Sequence, residues 1–334
     1  MNSRGTSMST PLPNQIKSAS AILGFSVCSL IAPTASFACA CGCGVFELGP
    51  ITMLPTRPGG VVYIEDDYMN QNQNWIGTQS APASLNTDKQ LETHFGSVGV
   101  DYQFNSAWGL SLQIPYWGRT FRTDIGTPSA PDVQTYQHSA LGDIRLVGRY
   151  TGFTPDLSTG ITFGVKLASG DWTYPYFDRD TEIGTGTTDI LLGAYHIGDL
   201  SEKNHLQWFA EAAYSWATNT REGYRPGDEL NAAIGITYDN IRFGPNTSLL
   251  LLLQLIGSDR LRDSGVNADP YNTGYQRLLL SPGVQFMSSS WQVYADAEFR
   301  VYHYANAAPS QAVEGTQGQL VAPVLFKLVL SYSW

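Results

Sequence analysis

Apolar and polar residues alternate through LFKLVLSYSW, positions 325–334. One parity is apolar and the other mostly polar: Phe326, Leu328, Leu330, Tyr332 and Trp334 against Lys327, Ser331 and Ser333. Side chains on a β-strand alternate between two faces, so this segment predicts a strand with one continuous apolar face. Because that face extends as far as Trp334, we expect an apolar medium to cover it.

The same alternation recurs along the chain and predicts about twelve strands. They lie near residues 60–71, 91–104, 107–118, 139–152, 158–169, 186–198, 205–218, 229–239, 247–257, 275–287, 290–304 and 321–334. Short connections, such as NS at 105–106, alternate with long ones, such as SGDWTYPYFDRDTEIG at 169–184. This sorting is typical of bacterial outer-membrane barrels. The sequence therefore predicts an all-β, antiparallel up-and-down transmembrane barrel over residues 60–334, with short periplasmic turns and long extracellular loops.

Aromatic residues on the predicted lipid face fall at common levels, as amphipathic rings at a membrane interface do. The periplasmic level would hold Trp108, Tyr150, Trp208, Tyr238, Phe286, Trp291 and Trp334, and the outer rim Tyr116, Tyr214 and Trp216. Lipid then covers the apolar face of the last strand. That strand, ending in Tyr332 and Trp334, also resembles the carboxy-terminal signal that the barrel-assembly machinery recognises.

Composition supports a membrane barrel. The chain is 43% apolar and 12% aromatic but only 14% charged, whereas about 25% charged residues is typical of soluble domains. Apart from the amino-terminal segment, no apolar run reaches the roughly 18 to 20 residues of a membrane helix. Alternating strands hide apolar content from a hydropathy window, so a barrel reconciles these observations.

The first residues predict export. Arg4 and Lys17 precede the apolar stretch ASAILGFSVCSLIA, and small residues follow it. This pattern is typical of a secretory signal peptide over residues 1–38, cleaved after Ala38. Removing Arg4 and Lys17 changes the formal charge from −10 to −12, which argues against nucleic acid as a partner. We expect outer-membrane lipid and lipopolysaccharide as neighbours instead.

The face opposite the lipid carries most of the strand charges. Six acidic and six basic residues are assigned to it: Asp101, Asp143, Arg145, Arg149, Lys166, Asp189, Glu211, Arg277, Asp296, Glu298, Arg300 and Lys327. Charges shielded from bulk water persist when they are paired or hydrated. The pattern predicts an ion-pair network across the lumen around a wet passage. The alternative is that these charges rigidify a filled barrel.

Three cysteines cluster in CACGCG, within a segment over residues 39–59 that we expect at the periplasmic end. Cys39, Cys41 and Cys43 are two residues apart, and thiolates suit Cu(I) or Zn(II). The sequence predicts a metal site here and no other cofactor. Lipidation or oxidation of the cysteines is the alternative. A rival function follows, namely a metal-binding surface or periplasmic protein anchored by the barrel.

Other candidate sites are weaker. His138 and Ser139 are adjacent in a long predicted loop, but neighbouring residues of an extended chain point apart, so we predict no catalytic dyad and no enzyme. Asp178, Asp180 and Glu182 alternate in another loop and could present oxygen ligands to calcium. A solvated acidic loop is the alternative.

Several segments resemble a known family. LGDIRLVGRY at 141–150, STGITFGVKLASGDW at 158–172, GTGTTDILLGAY at 184–195 and LLLSPGVQF at 278–286 are similar to strands of the outer-membrane transporters of the phenol meta-cleavage pathway (MetA). The resemblance covers about residues 90–334 and implies a channel for small solutes, aromatic or hydrophobic ones among them. CACGCG and YIEDDY at 63–68 do not belong to that pattern.

Overall fold

The computed structural model describes residues 54, 57–127, 129–309 and 316–334. Strands dominate the described residues, and two short 3-10 turns lie at Ala83–Leu85 and Glu202–Asn204. The strands are β1 (Gly59–Gln71), β2 (Gln73–Ile76), β3 (Gln79–Ser80), β4 (Asp88–Gln103), β5 (Trp108–Asp124), β6 (Val133–Leu141), β7 (Arg145–Tyr150), β8 (Thr159–Lys166), β9 (Asp189–Ser201), β10 (Leu206–Ala217), β11 (Glu229–Gly244), β12 (Thr247–Arg260), β13 (Tyr275–Ser288), β14 (Trp291–Ala305), β15 (Ala308–Pro309), β16 (Thr316–Gln317), β17 (Gln319–Val321) and β18 (Val324–Ser333).

Twelve of these strands close an antiparallel barrel, which confirms the predicted fold class. The order around the barrel is β1, β4, β5, β7, β8, β9, β10, β11, β12, β13, β14 and β18. β18 returns to β1, with Leu330 opposite Ile64. Backbone hydrogen bonds between Gly60 and Trp334 complete this seam, at 3.3 and 3.0 Å. A Cβ on Gly60 would lie 2.2 Å from the Trp334 ring, so glycine is required there.

The predicted strand over 139–152 is interrupted in the structure. β6 and β7 are separated by residues 142–144, and β6 pairs with the outer part of β5 as an extra strand. Pro115 of β5 lies opposite the break and has no N–H to donate, although its carbonyl accepts from Gly142 N at 3.0 Å. Asp143 turns inward and accepts hydrogen bonds from the backbone N–H groups of Gly170 and Thr185, each at 2.9 Å. Tertiary hydrogen bonds therefore replace ladder pairing at this point.

Short turns and long loops are sorted to opposite ends of the barrel, as predicted. The short connections are 104–107, 151–158, 202–205, 245–246 and 289–290. We call this the short-turn end, and it also holds the β1–β18 seam between Gly60 and Trp334. The opposite, long-loop end holds a small sheet of β2, β3 and β17. Segment 167–188 folds inward there, with Thr181, Ile183 and Thr187 buried.

The outer surface of the barrel is apolar along alternating positions. In β18, Leu328 is 53% exposed whereas Val329 is 2% exposed. Aromatic residues cluster at the short-turn end, where the Trp108 and Tyr150 rings lie 4.9 Å apart. Such a belt with an aromatic rim is the surface that a barrel presents to lipid. Among the described residues, no helix is long and apolar enough to span a membrane.

Part of the interior is a packed apolar core. Inward-facing residues of β9–β14 form one cluster with Met69, Phe95, Leu325 and Val329, and its largest buried rings include Tyr294 and Phe209. Apolar packing therefore fills this side of the barrel, beside the inward-facing charges.

Candidate functional site

All twelve predicted lumen residues lie on the inner side of the strands. Asp143, Arg149, Lys166, Asp189, Glu211, Arg277, Asp296, Glu298 and Lys327 are buried, and Asp101, Arg145 and Arg300 are partly buried. The outward neighbour Leu146 is 40% exposed. Participation of these residues in conduction stays a prediction.

The largest charge cluster surrounds Lys327. Its Nζ donates to Glu65 Oε1 and Asp67 Oδ2, each at 2.9 Å. Asp296 and Glu298 also lie within electrostatic range of this ammonium group. Four buried carboxylates therefore share one lysine. We call this set, Glu65, Asp67, Asp296, Glu298 and Lys327, the Lys327 cluster.

Sequence reasoning missed two members of this cluster. Glu65 and Asp67 belong to YIEDDY, which was set aside because it lies outside the family pattern. Their parity was nevertheless informative, because Val62 and Ile64 are exposed while Glu65 and Asp67 are buried. Alternation along β1 alone would have assigned both acids to the interior.

A second group of charges lies on β4–β9. Lys166 Nζ is 2.7 Å from Asp189 Oδ2 and 3.8 Å from Asp143 Oδ2. Arg149 Nη1 is 3.8 Å from Asp101 Oδ1. Lys166 and Asp189 lie on adjacent strands, and Arg149 and Asp101 lie two strands apart, at about 4.8 Å per step. Short inter-strand distances favour local pairing over pairing across the barrel. Lys327 of β18 and Glu211 of β10 are nevertheless within electrostatic range of each other. The predicted ion-pair network across the lumen stays a prediction.

Arg277 and Arg300 each donate a hydrogen bond to a neutral side chain near the long-loop end. Arg277 Nε donates to Ser258 Oγ at 3.1 Å. Arg300 Nη2 donates to Gln73 Oε1 at 2.7 Å, and its guanidinium lies 4.1 Å from the centre of the Trp75 ring. Arg300 therefore fastens the small sheet at the long-loop end to β14.

Two cavities occupy the part of the interior that the apolar core leaves open. The inner cavity has a volume of about 120 Å³, and its walls include Tyr63, Glu65, Arg149, Tyr195 and Glu211. The outer cavity measures about 80 Å³, lies toward the long-loop end and is lined mainly by polar and charged groups: Asp143, Lys166, Asp189, Glu229 and Arg260 among them.

Arg145 and Ser215 line both cavities and lie at the junction between them. Arg145 Nη1 donates to Gln113 Oε1 at 3.3 Å, and Ser215 Oγ donates to Asp189 Oδ2 at 3.1 Å. These hydrogen bonds orient both side chains at the junction. We call this junction the neck.

The inward segment 167–188 narrows the long-loop end of the interior. Arg119 is 2% exposed and donates to the carbonyl oxygens of Thr181 and Glu182, the latter at 2.9 Å. Its guanidinium also lies 5.3 Å from the centre of the Trp117 ring. A charged group that makes buried hydrogen bonds to a loop backbone fixes that loop firmly. Segment 167–188 therefore narrows the long-loop end of the interior and is held in place by Arg119.

The acidic residues of that segment are not displayed to solvent as a metal loop. Burial raises the pKa of Asp178, and burial raises the pKa of Glu182 to about 8. Among the residues that the structure describes, no group of three or more His, Cys, Asp or Glu side chains could hold a metal ion. The calcium interpretation of Asp178, Asp180 and Glu182 was therefore wrong for this conformation.

Among the described candidate residues, His138 and Ser139 line neither cavity. His138 is in β6 rather than in a loop, and its Nε2 is 2.8 Å from Asp171 Oδ2. The burial pattern of β6 places Ser139 on the opposite face. Cys39, Cys41 and Cys43 lie outside the described residues.

Comparison with known proteins bears on the fold. No family model matches the chain, and no curated protein does. The crystal structure of an outer-membrane channel from Pseudomonas putida F1 matches with a TM-score of 0.61 at 12% identity, over 86% of this chain and 100% of that chain. The chain has the fold of an outer-membrane β-barrel.

Other solved barrels are less similar to this outer-membrane barrel. Omp33 of Acinetobacter baumannii has a TM-score of 0.34 at 12% identity, over 84% of this chain and 99% of that one. The monoaromatic hydrocarbon channel TodX has a TM-score of 0.40 at 10% identity, over 83% and 90%. TM-scores below 0.5 do not indicate a shared fold, and the low identity to the Pseudomonas channel shows a shared fold rather than a shared solute.

Proposed function

We propose that this chain is a channel of the Gram-negative outer membrane that passes small solutes by diffusion. The observation that supports this most is the pair of cavities that meet at the neck inside a closed barrel with an apolar exterior. A barrel that served only as an anchor would have no need of two connected cavities. The charged groups of the outer cavity would take the place of part of the hydration shell of an entering solute before it reaches Arg145.

The chemistry of the inner cavity favours solutes with an apolar body. Tyr63, Val147, Leu191, Tyr195 and Val329 contribute to its walls, and a few charged groups interrupt this apolar surface. Ligand sites of this composition hold apolar groups and orient them through sparse polar contacts. Aromatic or hydrophobic solutes, and kinship with the phenol meta-cleavage transporters, are the finer proposal that agrees with this lining.

The exterior supports the proposed surroundings. The apolar belt and aromatic rim would contact outer-membrane lipid, with lipopolysaccharide around the long-loop end. Tyr332 and Trp334 lie at the seam that closes the barrel, where Trp291 and Tyr332 have ring centres 5.0 Å apart. We propose that the barrel-assembly machinery recognises this terminal strand.

Single-channel recording in planar bilayers tests the proposal. Wild-type protein should give discrete current steps. Arg145→Trp, which places a bulkier group at the neck, should reduce the unit current, whereas Arg242→Trp on an exposed part of β11 should not. Correctly folded wild-type protein that gives no current, together with no swelling of solute-loaded liposomes, would instead favour the filled-barrel alternative.

A further inference from the structure

Glu211 is a buried acid that the ion pairs described above leave out. It belongs to β10, between Tyr195 of β9 and Ala233 of β11, and it is 8% exposed. Its carboxylate lies in the wall of the inner cavity. No described side chain or backbone group within hydrogen-bonding distance donates to it. A buried carboxylate without donors costs free energy unless a cation or a donor reaches it.

The nearest base does not satisfy this carboxylate. Lys327 is within electrostatic range of Glu211, but its Nζ already donates to Glu65 and Asp67. Asp296 and Glu298 draw on the same ammonium group. Five carboxylates therefore lie within electrostatic range of one lysine. Arg145 and Arg149 also line the inner cavity, but Arg149 lies 3.8 Å from Asp101 and Arg145 donates to Gln113. Glu211 is therefore the carboxylate in this wall that a cation would neutralise.

The cavity also limits the size and character of that cation. A volume of about 120 Å³ corresponds to roughly ten water-sized positions. Its walls on β9 and β18 are largely apolar, with Leu191 and Val329 among them, whereas β7 contributes Arg145 and Arg149 beside Val147. A bare metal ion would pair with the Glu211 carboxylate, but the apolar part of the wall would remain in contact with water. A short organic cation would satisfy both parts of the site.

We propose that the inner cavity binds small alkylammonium compounds, with the ammonium group against Glu211 and the alkyl chain against the apolar wall. A charge-assisted hydrogen bond from N–H to the carboxylate would fix the head group. This proposal rests on the proposed channel function for the route by which the cation enters. It adds the class of solute that the cavity retains.

A matched series of probes tests the proposal in planar bilayers. Butylammonium, butanol and butyrate have the same alkyl chain and differ in the charge of the head group. Butylammonium should reduce the wild-type current at concentrations at which butanol and butyrate do not. Glu211→Gln should weaken this block at least tenfold, because the amide keeps the shape and removes the charge.

Glu298→Gln is the matched control. Glu298 is 1% exposed, belongs to the same acidic side of the interior and lies outside the walls of both cavities. The concentration of butylammonium that blocks the current should change by less than about threefold in Glu298→Gln, if contact with Glu211 matters more than the total charge. Equal weakening in both variants would overturn the proposed contact with Glu211.

Direct binding separates this proposal from the channel function. Calorimetric titration of folded wild-type protein in detergent should detect butylammonium even if the barrel does not conduct, and absence of binding would overturn the proposal. If Glu211→Gln fails to show the heat-modifiable migration of a folded barrel, Ala213→Leu decides. Ala213 lines the same cavity, and a larger side chain there should exclude the alkyl chain and weaken binding tenfold while the carboxylate remains. Unchanged affinity in Ala213→Leu would also contradict the assignment.

Discussion

Lys327 should be the most important single charge for the stability of the barrel. Its Nζ makes two hydrogen bonds of 2.9 Å to Glu65 and Asp67, and the residue is 6% exposed. The contacts join β18 to β1, where the barrel closes. Lys327→Met keeps the length and apolar stem of the side chain while it removes the charge. The perturbation therefore isolates the ammonium group.

The expected loss of unfolding free energy is about 4 kcal/mol. Removal of one partner from a buried ion pair typically costs about 3 to 5 kcal/mol, because the remaining charge stays buried without compensation. Here two carboxylates lose their donor at once, which favours the upper part of this range. Protonation of one carboxylate would offset part of the loss. A total stability of about 5 to 15 kcal/mol makes such a change easy to detect.

Denaturant unfolding in lipid vesicles, followed by tryptophan fluorescence, measures the change. Arg242→Met is the matched control, because Arg242 Nη2 lies 3.1 Å from Asp239 but these side chains are 55% and 36% exposed. An exposed pair contributes about 0 to 1 kcal/mol. Addition of Glu65→Gln and Asp67→Asn to Lys327→Met should restore much of the lost stability, since the two carboxylates that lost their donor are then uncharged and only Asp296 and Glu298 remain.

Two results would refute this reasoning. A loss below about 1 kcal/mol in Lys327→Met, equal to that of Arg242→Met, would mean that the cluster is hydrated rather than buried. Failure of the triple variant to recover any stability would mean that the loss does not come from leaving the Glu65 and Asp67 carboxylates without their donor.

Four further predictions concern conduction, the loop, assembly and the cysteines. Arg145→Ala with Arg149→Ala should shift the reversal potential under a salt gradient toward cations, and an unchanged potential would place both residues off the conducting path. Burial raises the pKa of Glu182 to about 8 from 4.5, so segment 167–188 should be most stable below about pH 4.5 and lose stability as pH rises to about 8. Movement of the segment should then add noise to the current, and Glu182→Gln should reduce the pH dependence of that noise. Trp334→Asp should prevent assembly, as heat-modifiable migration on gels would report, because it removes the terminal aromatic at the seam. Reduced mature protein should bind about one Cu(I) or Zn(II) through the CACGCG cysteines, and equal metal retention by a triple-serine variant in chelator competition would contradict this.

The barrel was predictable because its signal is local. Alternation with period two follows directly from strand geometry, and the lengths of the connections follow from the two different ends of a membrane barrel. The break at residues 142–144 was not predictable in this way. It depends on Pro115 in a neighbouring strand and on hydrogen bonds to Asp143 from residues 27 and 42 positions away. No local pattern around 139–152 reports those partners.

The inward segment 167–188 shows a second limit of the sequence. Its acidic alternation at Asp178, Asp180 and Glu182 is the same in a solvated loop, a calcium loop or a buried constriction. The deciding contact is made by Arg119, more than 60 positions earlier, whose hydrogen bonds to Thr181 and Glu182 draw the segment into the mouth of the barrel. Such long-range anchoring leaves no periodic signature.

The balanced count of six acids and six bases concealed an uneven distribution. Lys166, Arg145 and Arg149 lie on β7 and β8, whereas four carboxylates surround Lys327 on β1, β14 and β18. Within a narrow interior, the field at any point depends on nearby charges more than on the total. A solute at the neck therefore lies beside Arg145, whereas a solute in the inner cavity lies beside Glu211 and the Arg149–Asp101 pair. Because Arg145 and Glu211 attract opposite charges, substitutions at these two positions should act on different solutes.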